Sequence, residues 1–126
     1  MASPASCRYS ESHEWFKVEG DLVVMGITQF AADELTDITY AEVKPVGTSV
    51  QPGGSVAEVE SVKTASDVYS AVPGTIVEIN EEVRKDPSLL NSDAFGRGWL
   101  CKIRASDTAP LQKLMDAAAY DRSHGH

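Results

Sequence analysis

Lys63 is the residue whose surroundings most invite chemistry. It stands in the run EVESVKTASDVYSAVPG, residues 58–74. Residues 55–61 and 65–72 on either side read as strands by their valines and alternation, and Gln51-Pro-Gly-Gly54 and Pro73-Gly74 supply bracketing turns. The lysine therefore belongs at or near a hairpin tip, within reach of another macromolecule. A tip lysine is ordinarily a solvated cation, and a reactive role competes with that one. A nucleophilic lysine needs a buried amine of lowered pKa, and a hairpin rich in Ser, Thr and Asp offers no such apolar pocket. Glu60 and Asp67 beside Lys63 are either solubilising charges on an exposed hairpin or groups read by a modifying enzyme or a basic partner.

Elsewhere the reactive residue types are scattered. Cys7 and Cys101 lie at opposite ends of the chain, without the paired spacing of a zinc or dithiol site. Alternation over residues 99–103 puts Trp99, Cys101 and Ile103 on one face, so Cys101 reads as a small buried hydrophobe. Trp15 and Trp99 read as core. His13 reads as an exposed or packed side chain rather than a base, and His124 and His126 as a polar tail. The sequence shows no Ser-His-Asp constellation, HExxH or phosphate loop.

The positioning elements follow from turns and caps. Strands are expected over residues 14–18, 22–27, 38–43, 75–79 and 98–104, with Glu19-Gly20-Asp21 and Pro45-Val46-Gly47 as turns. Thr28 and Asn80 are N-caps for short helices over 29–35 and 81–86, the second stopped by Pro87. Leu111, Leu114, Met115 and Ala118 recur at helical spacing, which predicts a longer C-terminal helix near 109–119. Residues 1–8, with Cys7, read as a flexible leader, residues 9–120 as one domain, and residues 121–126 as a polar tail. The 126 residues are 42% hydrophobic and hold nine glycines and six prolines, enough for one core in a mostly β architecture. A net charge of −8 argues against nucleic acid and anionic lipid as partners and favours basic protein surfaces or a cationic ligand. No apolar run is long enough to span a bilayer; a soluble, intracellular protein is expected.

The run around Lys63 resembles the lipoylation motif of glycine cleavage H proteins, ESVK-x-ASD-x-YSP-x-xG. Ala71 replaces the motif's usual proline, and Pro73 comes two places later, a change expected to affect local loop geometry at most. The likeness extends through Ser12-His-Glu-Trp15, Gly26-Ile-Thr, Phe30-Ala, Gly47-Thr, Asn80–Glu82, Asn91, Gly96-x-Gly98-Trp-Leu and Ala119-Tyr120, in the family's order over roughly residues 9–120.

That resemblance implies a β sandwich, or flattened barrel, of the lipoyl/biotinyl-carrier type with short helices and a C-terminal helix. It implies a non-catalytic monomeric carrier whose Lys63 bears a lipoyl group, with Glu60, Ser61, Val62, Ala65 and Asp67 forming the recognition surface around it. The implied partners are a pyridoxal-phosphate glycine decarboxylase (P protein), an aminomethyltransferase (T protein), a dihydrolipoyl dehydrogenase (L protein) and lipoylation enzymes. Ser12, Glu14 and Asp67 are the implied walls of a cleft that shelters the aminomethyl arm, with Glu14 alternatively a solvated charge on an edge strand. A bacterial cytoplasm is the first expected location and a mitochondrial matrix the second. Three rivals stay open: an H-like lipoyl donor in cofactor relay, a lipoyl domain of another complex, and a biotin acceptor. Against the last, Val62 and Thr64 flank Lys63 where biotin acceptors carry Met.

Overall fold

The computed structural model describes residues 4–123. In chain order the elements are β1 (Arg8–Tyr9), β2 (Glu14–Glu19), β3 (Leu22–Ile27), α1 (Gln29–Leu35), β4 (Ile38–Val43), β5 (Ser49–Val50), β6 (Ser55–Ser61) and β7 (Ala65–Tyr69). There follow β8 (Gly74–Ile79), α2 (Glu81–Lys85), α3 (Leu89–Ser92), β9 (Cys101–Ala105), a 3-10 turn (Ala109–Lys113) and α4 (Ala117–Ser123). The strands form two antiparallel sheets, a six-stranded one in the order β1-β2-β3-β9-β8-β5 and a three-stranded one in the order β4-β6-β7. This is the β sandwich the sequence predicts.

The main core lies between the sheets, where alternation turns Phe16, Val23, Met25, Val59, Val68, Ile76 and Ile103 inward. A second cluster covers the outer face of the large sheet: Cys7, Tyr9, Trp15, Val24 and Tyr120. β2 thus has both faces buried, Phe16 in one cluster and Trp15 in the other. Gly26 makes this possible: a Cβ there would stand 2.9 Å from the indole nitrogen of Trp15, which donates to Ala94 O at 2.9 Å.

Both predicted caps are present. Thr28 Oγ1 accepts from Ala31 N at 3.1 Å, and Asn80 Oδ1 from Glu82 N at 3.0 Å. Four expectations need correction. The leader ends sooner, because Cys7 is buried and Arg8 pairs with Phe16; residues 1–3 lie outside the described residues. The helix expected over 109–119 is broken in two. Met115 exchanges backbone hydrogen bonds with Tyr9 at 2.9 and 3.0 Å, which holds Leu114 extended, and Asp116 Oδ1 restarts the helix by accepting from Ala119 N at 2.8 Å. Ala118 is consequently exposed, and α4 runs into the expected tail as far as Ser123; His124 and His126 lie outside the described residues. Finally, Trp99 lies outside β9 and packs against the second cluster with Lys102 Nζ 5.1 Å from its ring centre, while Cys101 and Ile103 face the main core.

Candidate functional site

The β6–β7 hairpin is in register from Ala57↔Val68 to Glu60↔Ala65, with a shift before it at Ser55↔Tyr69, and Lys63 is exposed on the short tip beyond. Ser61 builds that tip. Its N–H donates to Thr64 O at 2.8 Å, and its Oγ accepts from Lys63 N at 3.3 Å and Thr64 N at 3.2 Å. Val62 N donates to Asp37 O at 3.3 Å, which ties the tip to the link before β4, and the Val62 side chain is 73% exposed. Among the described residues no ion pair involves Lys63.

Cross-strand pairing places Tyr40, Glu42, Glu58, Glu60 and Asp67 on the outer face of the small sheet, next to the tip. The field of Glu42 foremost, then burial and Glu60 and Glu58, raises the Tyr40 hydroxyl above its ordinary pKa. Asp67 lines a shallow depression here with Tyr40, Glu42 and Glu58. Val68 points into the core, so its neighbour Asp67 points out. Asp67 is not among the residues lining the cavity around Glu14, so the expected trio Ser12, Glu14 and Asp67 reduces to two.

Glu14 is not the solvated edge charge considered from sequence. It is 2% exposed and lines a cavity of about 250 Å³ with Ser10, Ser12, Phe16, Gly53, Tyr69, Ser70 and Ala71. Glu14 and Phe16 share one face of β2, which aims both into this space. Burying a carboxylate is costly without donors, and here three are supplied. Ser10 Oγ and Ser12 Oγ donate to Oε1, each at 2.5 Å, and Tyr69 N donates to Oε2 at 3.0 Å. Since β2 and β7 belong to different sheets, the cavity sits at the seam of the sandwich. Gly53 closes the seam with a φ of 83° while its N–H donates to Ser70 O at 2.8 Å. Ala71, read from sequence as a change of loop geometry, is a cavity wall.

The sequence reading passed over Ser10, although its spacing of four from Glu14 matches a local turn: Ser10 Oγ also accepts from Glu14 N at 3.0 Å. It also left His13 without a role. His13 adopts a φ of 72° and packs on Phe30 with ring centres 4.7 Å apart; its Nδ1 shares a hydrogen bond of 2.9 Å with the Tyr120 hydroxyl. Neither cysteine is poised to react: burial raises the Cys7 thiol, and it pushes Cys101 up to about 12. Among the described residues no group of His, Cys, Asp and Glu could hold a metal ion, and no helix is long and apolar enough to cross a membrane.

The family model of the glycine cleavage H-protein matches residues 7–125. Among curated relatives, a glycine cleavage system H protein of Acinetobacter baumannii is 46% identical over 121 residues, 96% of this chain and 98% of that protein. One from Thermus thermophilus is 46% identical over 120 residues, 95% and 94% of the two chains. A crystal structure of a glycine cleavage system H protein from Mycobacterium marinum superposes with a TM-score of 0.90 at 33% identity, covering 98% of this chain and all of that one.

Proposed function

Because the chain belongs to the glycine cleavage H-protein family, we propose that it is the lipoyl-bearing carrier of a glycine cleavage system, with Lys63 as the attachment residue. When bound, the lipoyl group supplies a cyclic disulfide that takes up an aminomethyl group and leaves thiols to be reoxidised. The chain's own part is presentation and protection. Lys63 holds out its amine from a tip whose backbone Ser61 fixes, so a lipoylating enzyme meets a shape. Cargo received from a pyridoxal-phosphate glycine decarboxylase and handed to an aminomethyltransferase carries a primary amine, a cation at neutral pH. Glu14 is the carboxylate placed to accept a hydrogen bond from it. The Ser10 and Ser12 hydroxyls can turn to accommodate it, and Phe16 and Ala71 keep water from one side. Reoxidation by a dihydrolipoyl dehydrogenase would use the same exposed tip. The bacterial relatives favour a bacterial cytoplasm as the setting.

A single observation carries this reading. A buried carboxylate held by three hydrogen bonds opens on a cavity at one end of β7, while an exposed lysine stands past the other. From Ala65 to Tyr69 the strand spans about 13 Å. The test is Lys63→Arg, which keeps the charge and offers no amine for the lipoyl amide. The variant is expected to melt like the parent, to gain no lipoyl mass on treatment with a lipoylating enzyme, and to support no glycine cleavage in a reconstituted system. Substantial turnover by the variant would put the carrier site elsewhere.

A further inference from the structure

Three distant segments meet beside the Glu14 cavity at one hydroxyl. His13, between Ser12 and Glu14, is one of two non-glycine residues with positive φ among the described residues. A left-handed backbone is uphill for a residue with a Cβ and persists where the surroundings hold it. Thr28 N donates to His13 O at 2.9 Å, and the imidazole bonds the Tyr120 hydroxyl at 2.9 Å. That hydroxyl lies 2.7 Å from Thr28 Oγ1, the oxygen that caps α1. Tyr120 is fully buried and stacked on Tyr9 with ring centres 4.9 Å apart, so its hydroxyl has little freedom.

The turn that carries His13 also carries the cavity's polar groups. His13 N donates to Ser10 O at 3.1 Å, and Ser10 N to Glu14 O at 3.0 Å. Rotation of the backbone at residue 13 would swing Ser12 one way and Glu14 the other.

We propose that Tyr120 is a positioning residue for the cavity: through His13 it holds the turn that aims Ser12 and Glu14 at the same space. The functional meaning of this rests on the cargo role given to Glu14; its geometric content does not. α4 is thereby more than a cover for the large sheet. It sets the geometry of Ser12 and Glu14, more than a hundred positions earlier, with His13 107 residues before Tyr120.

The unmodified chain provides the test. Tyr69 N–H donates to Glu14 Oε2, so its hydrogen-exchange rate reports where the carboxylate is, and Glu14→Ala calibrates that reporter. Tyr120→Phe keeps the ring and its stack and removes only the hydroxyl. Exchange at Tyr69 should quicken roughly two- to tenfold, the equivalent of one lost hydrogen bond. Exchange at Ile76, whose N–H donates to Thr48 O and touches neither Glu14 nor the His13 turn, should not change. Thr28→Ser keeps the hydroxyl partner and should behave as the parent. Should Tyr120→Phe fail to fold, His13→Asn carries the same expectation, since Asn tolerates the left-handed backbone but cannot reproduce the ring contacts. Unchanged Tyr69 exchange in the folded variant, or quickening shared equally by Ile76, overturns the proposal. Quickened Tyr69 exchange upholds it even if Glu14 variants lose aminomethyl cargo no faster than the parent, a result that would count against the cargo role alone.

Discussion

Glu14→Gln separates the charge of this side chain from its shape. In the parent, Oε1 accepts from two serine hydroxyls and Oε2 from the Tyr69 amide. Glutamine has one acceptor oxygen and one NH2 group. The amide N–H of Tyr69 can only donate, so the oxygen must face it, and the serines, whose hydroxyls rotate, must accept from the NH2. That exchange keeps all three contacts and costs about 1 kcal/mol. Glu14→Ala is a poorer probe, since it takes the acceptor from three donors, at about 1–3 kcal/mol for each that water does not reach. For a cationic cargo the loss is of another kind. A hydrogen bond to a charged group contributes about 1.5–3 kcal/mol and a neutral one about 0.5–1.5, a difference of about 1–2 kcal/mol. The screened value for exposed pairs does not apply to a group 2% exposed. At 1.36 kcal/mol per tenfold, docking should weaken roughly five- to thirtyfold. The assay follows release of ammonia and formaldehyde from isolated, aminomethyl-loaded protein at neutral pH, parent against variant. Loss should be clearly faster in Glu14→Gln, while lipoylation proceeds at the parent's rate. Equal loss rates from two folded proteins would make Glu14 a structural carboxylate and refute the sheltering role.

Gly26→Ala should lower the chemical-denaturation midpoint by about 1–3 kcal/mol in stability, because Trp15 is pinned by its bond to Ala94 and cannot clear the new methyl; an unchanged midpoint would show that the second cluster yields easily. Iodoacetamide at pH 8 should leave both cysteines of the folded chain unmodified over hours. Burial lifts Cys101 from 9.0 to about 12, which leaves roughly a thousandfold less thiolate at any pH well below both values; prompt labelling measured by mass would contradict the buried placement.

The sequence carried the local structure well because local rules decide it. Thr28 and Asn80 announce helix starts through their own oxygens, and in β7 alternation turns Val68 inward and Asp67 outward. It was less informative where partners lie far along the chain. The apolar spacing of Leu111, Leu114 and Met115 is helical, yet the pairing of Met115 with Tyr9 draws the chain into an extended link. The resemblance implied Asp67, beside Lys63, as a cleft residue, whereas the cavity is made by residues that only sheet packing assembles. Asn91 is a further case. Its Oδ1 accepts from Ile38 N at 3.0 Å and its Nδ2 donates to Thr36 O at 2.6 Å, clamping the α1–β4 link that in turn holds the tip through Asp37. Nothing in residues 87–95 alone signals that role.

The state of Glu14 in the unloaded chain bears on how firmly cargo would be held. A carboxylate offers about four acceptor sites, and three are already taken by Ser10, Ser12 and the Tyr69 amide. An empty buried carboxylate would be costly to maintain and would grip an incoming ammonium hard, since that contact would relieve its whole desolvation penalty. With the penalty already offset, the ammonium gains about one charge-assisted hydrogen bond. That is enough to favour the sheltered position and little enough for a transferase to reverse. Two serines on one carboxylate oxygen are on this reading a means of weakening the site, and that suits a carrier, which must protect its cargo and also release it.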